Sequence, residues 1–140
     1  MAGLADLQRF TSNLPRELNA ALRDMELVTL SHLIHQSSGP YSSEMLANMG
    51  HPFSKRAAAG LPREIINLQT GLFRDSWDTT GVQQVGDRLA VQISNSAPYA
   101  ADLEHGTKYM WSRPIVPSVV RQVSPLFEKR FERAFKDAQK

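Results

Sequence analysis

Apolar residues recur at helical spacing from Leu4 to Ile34. The repeat at steps of three and four is clearest at Leu14, Leu18, Leu22 and Met25, and the stripe is widened by Leu27, Leu30 and Ile34. Such a stripe predicts one long amphipathic helix near the start of the chain. Because Ser12 or Asn13 suits the N-cap and Pro15 suits the first turn, the pattern favours a start there, with residues 1–10 as a separate short helix or an unpacked arm.

A long connection is predicted at residues 36–62, where Gly, Pro and Ser are frequent and only 43–49 shows a brief helical pattern. A short helical turn is expected at 63–68. Connections of this length in a compact domain are usually functional, or are ordered by a partner.

Apolar and polar residues alternate in two segments on either side of residues 81–87. The residues that share one side are Phe73, Trp77 and Thr79 in the first segment and Leu89, Val91 and Ile93 in the second. This period of two predicts an antiparallel β-hairpin with one buried face, and Gly81 and Gly86-Asp87 supply its turns.

A short helix is predicted next, with Ser96 as its cap and Pro98 in its first turn. Tyr99 and Leu103 are four residues apart and would share its inner side, and Gly106 would end it with a left-handed conformation.

The last predicted helix follows Arg113-Pro114. Its apolar repeat is Val116, Val120, Val123, Phe127, Phe131, Ala134 and Ala138, and Ser124-Pro125 marks either a kink or a fresh helix start. The predicted fold is therefore α+β in one domain, 1–140: a long N-terminal helix, a small antiparallel sheet built on a hairpin, a short helix and a C-terminal helix.

Composition narrows the range of functions. The chain has no cysteine, which removes disulfides, thiolate metal sites and cysteine nucleophiles. Its net charge is only +2, and residues 121–140 carry the excess, with six basic and three acidic side chains. That balance supports a passing contact with DNA at most. The sequence contains neither a membrane-spanning run nor a secretory signal, so we expect a cytoplasmic protein with no membrane partner.

Candidate catalytic and metal-binding residues do not form a convincing set. His32 and His35 lie three apart, but no carboxylate has the spacing to complete a metal site with them. Asp102, Glu104 and His105 would point in different directions from a short helix. Neither a phosphate-binding glycine loop nor a nucleophile elbow is present. The sequence therefore predicts no enzyme activity, no metal and no cofactor. Glu104 and Arg113 are instead expected to form an ion pair, within or between subunits, that brackets the loop Gly106–Ser112.

Aromatic residues and methionine in irregular segments indicate a different role. Phe53, Tyr109, Met110 and Trp111 are of the types enriched at protein interfaces, although Tyr109–Trp111 suit a core position equally well. We take these four residues as interface candidates, and we expect Trp77 to lie in the core.

Three motifs in order resemble a known family. They are "QTGLFRDSW" at the entrance to the hairpin, "SAPYAADLEHGT" around the short helix and "WSRPIVPSVV" at the start of the last helix. Together they resemble the tail-completion, or head–tail joining, proteins of long-tailed bacteriophages, often described as minor tail components. The resemblance covers about residues 68–140.

The resemblance implies a structural virion protein that is made in the host cytoplasm and is not an enzyme. It would form a ring with copies of itself, six-fold in this family, at the head-proximal end of the tail, where it contacts the tail terminator or tube protein and the neck or connector proteins. The family's signature residues fall on Thr70, Gly71, Tyr99, Glu104, Gly106, Thr107, Arg113 and Pro114, in architectural roles. His105 departs from the aromatic residue common there, and "TKYMW" is bulkier than usual.

Two alternatives remain open from the sequence. The first is another neck component, either a tail terminator or a stopper, which would differ in its ring partner. The second is a small nucleic-acid-binding or nuclease-like protein that uses the basic C-terminal helix and His105.

Overall fold

The computed structural model describes residues 3–39, 66, 71–108 and 111–140, and the fold is α+β. The elements in chain order are α1 (Leu4–Gln36), α2 (Leu72–Asp75), β1 (Trp77–Thr79), β2 (Gln83–Val85), β3 (Arg88–Ala90), β4 (Ile93–Asn95), α3 (Ala100–His105) and α4 (Ile115–Ala138). The predicted class and the order of its main elements are confirmed. In the described part of the chain, no helix is both long enough and apolar enough to cross a membrane.

The first helix begins earlier than the sequence predicted. The N–H of Gly3 donates to Asp6 Oδ2 at 3.0 Å, which satisfies one end group, and α1 then runs from Leu4 through Pro15 without a break. Ser12 does not cap a helix here, since its hydroxyl donates to the Arg9 carbonyl at 2.9 Å inside α1. The separate N-terminal segment predicted for residues 1–10 is therefore wrong for residues 4–10.

Two serine hydroxyls complete the C-terminal end of α1. Ser37 Oγ donates to the Leu33 carbonyl and Ser38 Oγ to the Ile34 carbonyl, each at 2.7 Å, so two of the carbonyls that a helix leaves open are satisfied. The chain then pairs with Ile66, whose N–H donates to the Gln36 carbonyl at 2.8 Å. Ile66 is thereby held against the C-terminal end of α1.

The two long helices pack side by side and antiparallel. Their contacts, in order along α1, are Phe10 with Phe135, Asp24 with Arg130 at 2.7 Å, His32 with Gln122 at 3.0 Å and Gln36 with Ser118 at 3.3 Å. Ala21, Ala134 and Ala138 are completely buried. Small side chains at these positions let the two backbones approach closely.

The last helix is one continuous element. It begins directly after Arg113-Pro114, as predicted, and it continues through Pro125. Ser124 does not start a new helix, because its hydroxyl donates to the Val120 carbonyl one turn back at 2.6 Å. The alternative of a fresh start at Ser124-Pro125 is therefore wrong.

The four strands form one antiparallel hairpin in two parts. Near its base β1 pairs with β4, Trp77 facing Asn95, and at its tip β2 pairs with β3, Val85 facing Arg88 across the loop Gly86-Asp87. Between the parts, the Thr80 N–H donates to the Gln92 carbonyl at 3.0 Å, which keeps the two strands together. The predicted hairpin and its Gly-Asp turn are confirmed.

Two details of the predicted hairpin are wrong. Residues 72–75 form the short helix α2 rather than the start of a strand, and Ser76 Oγ closes that turn by donating to the Leu72 carbonyl at 2.6 Å. The buried face extends over the base only, where Trp77 and Ile93 pack on the core. At the tip, all of β2 is exposed, and an open groove lies between the tip and the middle of α1.

The core lies where the hairpin base meets the two long helices. Its buried members are Met25, Leu33, Ile66, Phe73, Ala97, Ile115, Val119 and Val123. Trp77 packs at its edge, meeting the Phe73 ring edge to face with a centroid distance of 5.6 Å, and its Nε1–H donates to Ser37 Oγ at 2.9 Å. Trp77 therefore joins the hairpin to the end of α1, in line with the core position expected for it.

Candidate functional site

The second and third signature motifs, "SAPYAADLEHGT" and "WSRPIVPSVV", meet at a corner between α3 and α4, which we define as residues 103–106 and 113–116. Gly106 ends α3, and its N–H donates to the Asp102 carbonyl at 2.7 Å. Seven residues on, the N–H of Arg113 donates to the Leu103 carbonyl at 2.6 Å. The loop between them is thus closed by the main chain, and α4 starts beside the end of α3.

Gly106 has a backbone conformation that only glycine adopts readily. Its φ is 78° and its ψ is 172°, so the predicted positive φ is confirmed. The predicted left-handed helical conformation is wrong, since a ψ near 180° places the residue in a region that is essentially restricted to glycine. This geometry turns the chain sharply out of α3 and sets the direction of the loop.

Glu104 caps α4 from outside that helix. Its Oε2 accepts hydrogen bonds from the N–H groups of Ile115 at 3.2 Å and Val116 at 3.5 Å. These are among the N–H groups that a helix start leaves without partners, and a negative charge there is also favoured by the helix dipole. The first turn of α4 has no acidic residue of its own, so Glu104 supplies the only carboxylate described at this end.

The ion pair between Glu104 and Arg113, within or between subunits, stays a prediction. In the described structure Glu104 binds main-chain N–H groups, and Arg113 contributes its own main-chain N–H to the corner. Pro114 occupies the N-cap position of α4, where its lack of an N–H costs nothing. Positions 104 and 113 therefore both hold the loop through main-chain hydrogen bonds.

Replacing Glu104 with alanine should lower the free energy of unfolding by about 1 kcal/mol, the usual worth of a helix cap. Glu104→Gln should lose less, because the amide oxygen still accepts hydrogen bonds while the charge is gone. The measurement is urea unfolding followed by circular dichroism, with Glu132→Gln as the control for loss of an exposed carboxylate on α4 itself. Equal stabilities for Glu104→Ala and the unaltered chain would contradict the capping role.

Gly71 is the signature residue on the other side of the core. It has φ 85° and ψ −10°, a left-handed conformation, and it begins α2. A Cβ on this residue would lie 3.1 Å from Asp75 Oδ2, so a side chain would be both strained and crowded. The neighbouring Arg74 donates to Asp75 Oδ1 at 2.6 Å, and this hydrogen bond lowers the pKa of Asp75.

Tyr99 precedes α3 rather than lying inside it. Its ring stacks on Phe73, with the centroids 6.4 Å apart, and Leu103 packs against the core one turn later.

Ser96, the predicted cap of α3, instead extends the hairpin, because its N–H donates to the Ser76 carbonyl at 3.1 Å. Asn95 starts the turn into α3, and its Oδ1 accepts a hydrogen bond from the Ala97 N–H at 2.9 Å.

Thr107 is the signature residue that follows Gly106, and its side chain is exposed.

The histidines and carboxylates do not converge in the described part of the molecule. His32 contacts Gln122 on α4, and His35 lies exposed on α1. Asp102 and His105 are exposed on α3, while the Glu104 carboxylate is turned to α4. Among the described residues, no group of three or more histidine, aspartate or glutamate side chains is placed to hold a metal ion.

Only one of the four predicted interface residues can be placed. Trp111 is 47% exposed, as an interface residue should be. Outside the described residues lie the other three candidates, Phe53, Tyr109 and Met110, and the signature residue Thr70. The same holds for residues 40–62 of the predicted long connection and for the predicted short turn at 63–68, apart from Ile66.

Sequence reasoning missed two kinds of residue. Glu26 is buried, and its Oε1 accepts a hydrogen bond from Thr79 Oγ1 at 2.6 Å, which ties α1 to β1. Glu26 lies four residues after Leu22 and seven residues before Leu33, and this helical spacing indicates that it shares their side of α1 and faces the core. Large apolar side chains also remain exposed on the outer sides of both long helices: Leu27, Ile34, Val116 and Val120.

An open groove of about 810 Å³ lies between the middle of α1 and the tip of the hairpin. Leu14, Leu18 and Leu89 contribute apolar surface to it, and Arg23 and Asp87 contribute charge. The groove is open to solvent, and its residues are of mixed type, as on a protein-binding surface.

Comparison of the chain with models of protein families, with characterised proteins and with solved structures gives no match.

Proposed function

We propose that the chain is a structural, non-enzymatic subunit of a tailed bacteriophage virion, which forms a ring at the head-proximal end of the tail and contributes to tail completion and head–tail joining. The starting point is the resemblance of three motifs, in order, to the tail-completion family. The subunit would be made in the host cytoplasm and would act in the assembled virion, next to the tail terminator or tube protein and the neck proteins.

The observation that carries the proposal is the role of the signature residues in the structure. Gly71 and Gly106 provide backbone conformations that other residues avoid, and Glu104 binds the main chain at the start of α4. Arg113 closes the loop through its N–H, and Pro114 sets the start of α4. These are roles in shaping a rigid part, which is what the resemblance implies for these positions.

The outer surface of the two long helices also supports an assembly role. Leu27, Ile34, Val116 and Val120 are among their exposed apolar side chains, with exposed fractions between 38% and 67%. Apolar patches of this kind often mark protein–protein contacts. A ring subunit needs such surfaces on two sides, one for each neighbour.

The test is to delete the gene in the phage that carries it and to image the lysate by electron microscopy. We expect filled heads and complete-length tails that remain separate, and recovery of infectious particles when purified protein is added to the lysate. Joined, infectious particles from the deletion would refute the proposal. An inactive but stable variant of a different virion protein serves as the control for the rescue step.

A further inference from the structure

Two unlike apolar faces lie on opposite outer sides of the helix pair. The α1 face consists of Leu27, Leu30 and Ile34, and the α4 face consists of Val116 and Val120. Leu27 is 67% exposed and Val120 is 52% exposed, so each face includes an apolar side chain that is largely open to solvent.

The position of the α1 face follows from the helix geometry. Ile34 lies two residues from both His32 and Gln36, which contact α4. Two residues correspond to a rotation of about 200° at 3.6 residues per turn. Ile34 therefore points away from α4, and Leu27 and Leu30 lie on the same side at spacings of seven and four.

The position of the α4 face follows from helix geometry in the same way. Val116 precedes Ser118 by two residues, and Val120 precedes Gln122 by two residues. Ser118 and Gln122 both contact α1, so the two valines point away from α1. The two faces are consequently on opposite sides of the pair and cannot contact each other within one subunit.

We propose that the α1 face of one subunit packs on the α4 face of a second copy of this chain, in an antiparallel, head-to-tail contact. The inference rests on the proposed function in taking a ring as the assembly. A contact between two unlike faces leaves one face of each kind free at the ends, so it repeats from subunit to subunit and closes into a ring when the rotation permits.

Charge complementarity favours a second copy as the occupant. Exposed Arg23 lies one turn before Leu27, and exposed Glu128 lies two turns after Val120. Neither side chain forms an ion pair with another described residue. Arg23 and Ile34 are eleven residue steps apart and Val116 and Glu128 are twelve steps apart, which correspond to about 17 and 18 Å of helix.

The two lengths match in the antiparallel direction. With Arg23 opposite Glu128, Ile34 falls near Val116, and Leu30 falls near Val120. Within one subunit the two long helices already pack antiparallel, so the contact between copies would repeat an arrangement these helices adopt. Arg23 also lines the groove beside the hairpin, which places the charged end of the contact at the rim of that groove.

The experiment uses the full chain and two face variants, Leu27→Lys and Val120→Lys, with their masses measured by light scattering during size-exclusion chromatography. The unaltered chain is expected to form oligomers. Each variant alone is expected to be monomeric, because every contact needs both faces. Mixed in equal amounts, they should form a dimer and nothing larger, since each retains the face that the other has lost.

Val85→Lys is the control, because Val85 is 61% exposed on the hairpin tip and lies on neither face. It should oligomerise like the unaltered chain, and thermal unfolding should show that all three variants are folded. The contact would be overturned by a monomeric unaltered chain, by oligomers of either face variant alone, or by a mixture that stays monomeric.

A charge exchange tests the antiparallel register. Arg23→Glu alone should weaken association at low salt, and adding Glu128→Arg in the same chain should restore it. If the double variant stays as weak as the single one, the register is wrong. These measurements need no phage, so failure of the contact is distinguishable from failure of the proposed function, which the deletion experiment tests.

Discussion

Replacing Trp77 with alanine should lower the free energy of unfolding by about 3 kcal/mol, the largest loss expected for one side chain in this protein. The indole packs at the edge of the core beside Phe73, and it donates a hydrogen bond to Ser37 Oγ at 2.9 Å. Its removal would leave a cavity between the hairpin base and the end of α1. The strands would keep the Thr79–Glu26 hydrogen bond to that helix but would lose the contact made by the indole. Urea unfolding followed by circular dichroism gives the value directly.

Trp77→Phe separates packing from hydrogen bonding. The phenyl ring keeps most of the apolar contact and loses the donor, so a loss of about 1 kcal/mol is expected for the missing hydrogen bond, with a further contribution from the smaller ring. Ser37→Ala should cost a similar amount. A loss below about 1 kcal/mol for Trp77→Ala would show that the hairpin is held to α1 by other contacts.

Replacing Gly106 with valine should cost about 2 kcal/mol or more, because a β-branched residue at φ 78° and ψ 172° is strongly strained. The loop after α3 would have to change direction, and the contact between Arg113 and Leu103 would be disturbed with it. We expect a lower thermal midpoint and poorer assembly from the same variant.

Gly3→Ala is the matched control for that substitution. Gly3 has φ −75°, and an added Cβ would meet Asp6 Oδ2 at an ordinary 3.7 Å, so alanine there should change stability little. If Gly106→Val unfolds at the same temperature as Gly3→Ala, the corner does not depend on the conformation of Gly106.

Long periodic segments were predictable from the sequence, whereas their ends were less so. The repeat over Leu14–Met25 and the Arg113-Pro114 step correctly predicted the two long helices. The start of α1 was misplaced because local capping signals at Ser12 and Pro15 outweighed a tertiary contact, the stacking of Phe10 on Phe135. Helix α2 is a single turn, too short for any period to be read.

Some features of the candidate site were likewise predictable from the sequence, and others were not. The positive φ of Gly106 was predictable, because few residues other than glycine can end a helix in that way. The partner of Glu104 was not, since the open N–H groups of α4 become visible only once α4 is placed beside α3. Sequence spacing placed Val116 and Val120 in the same apolar repeat as Val123, and it could not show that Val123 is buried while the other two are exposed.

The most direct test of the proposed function is electron microscopy of purified protein mixed with tails isolated from the deletion phage. The account predicts a ring of added density at the head-proximal end of each tail, and tails carrying it should join to heads. Tails that bind no added density at that end, under conditions in which the protein is folded and in excess, would contradict the account.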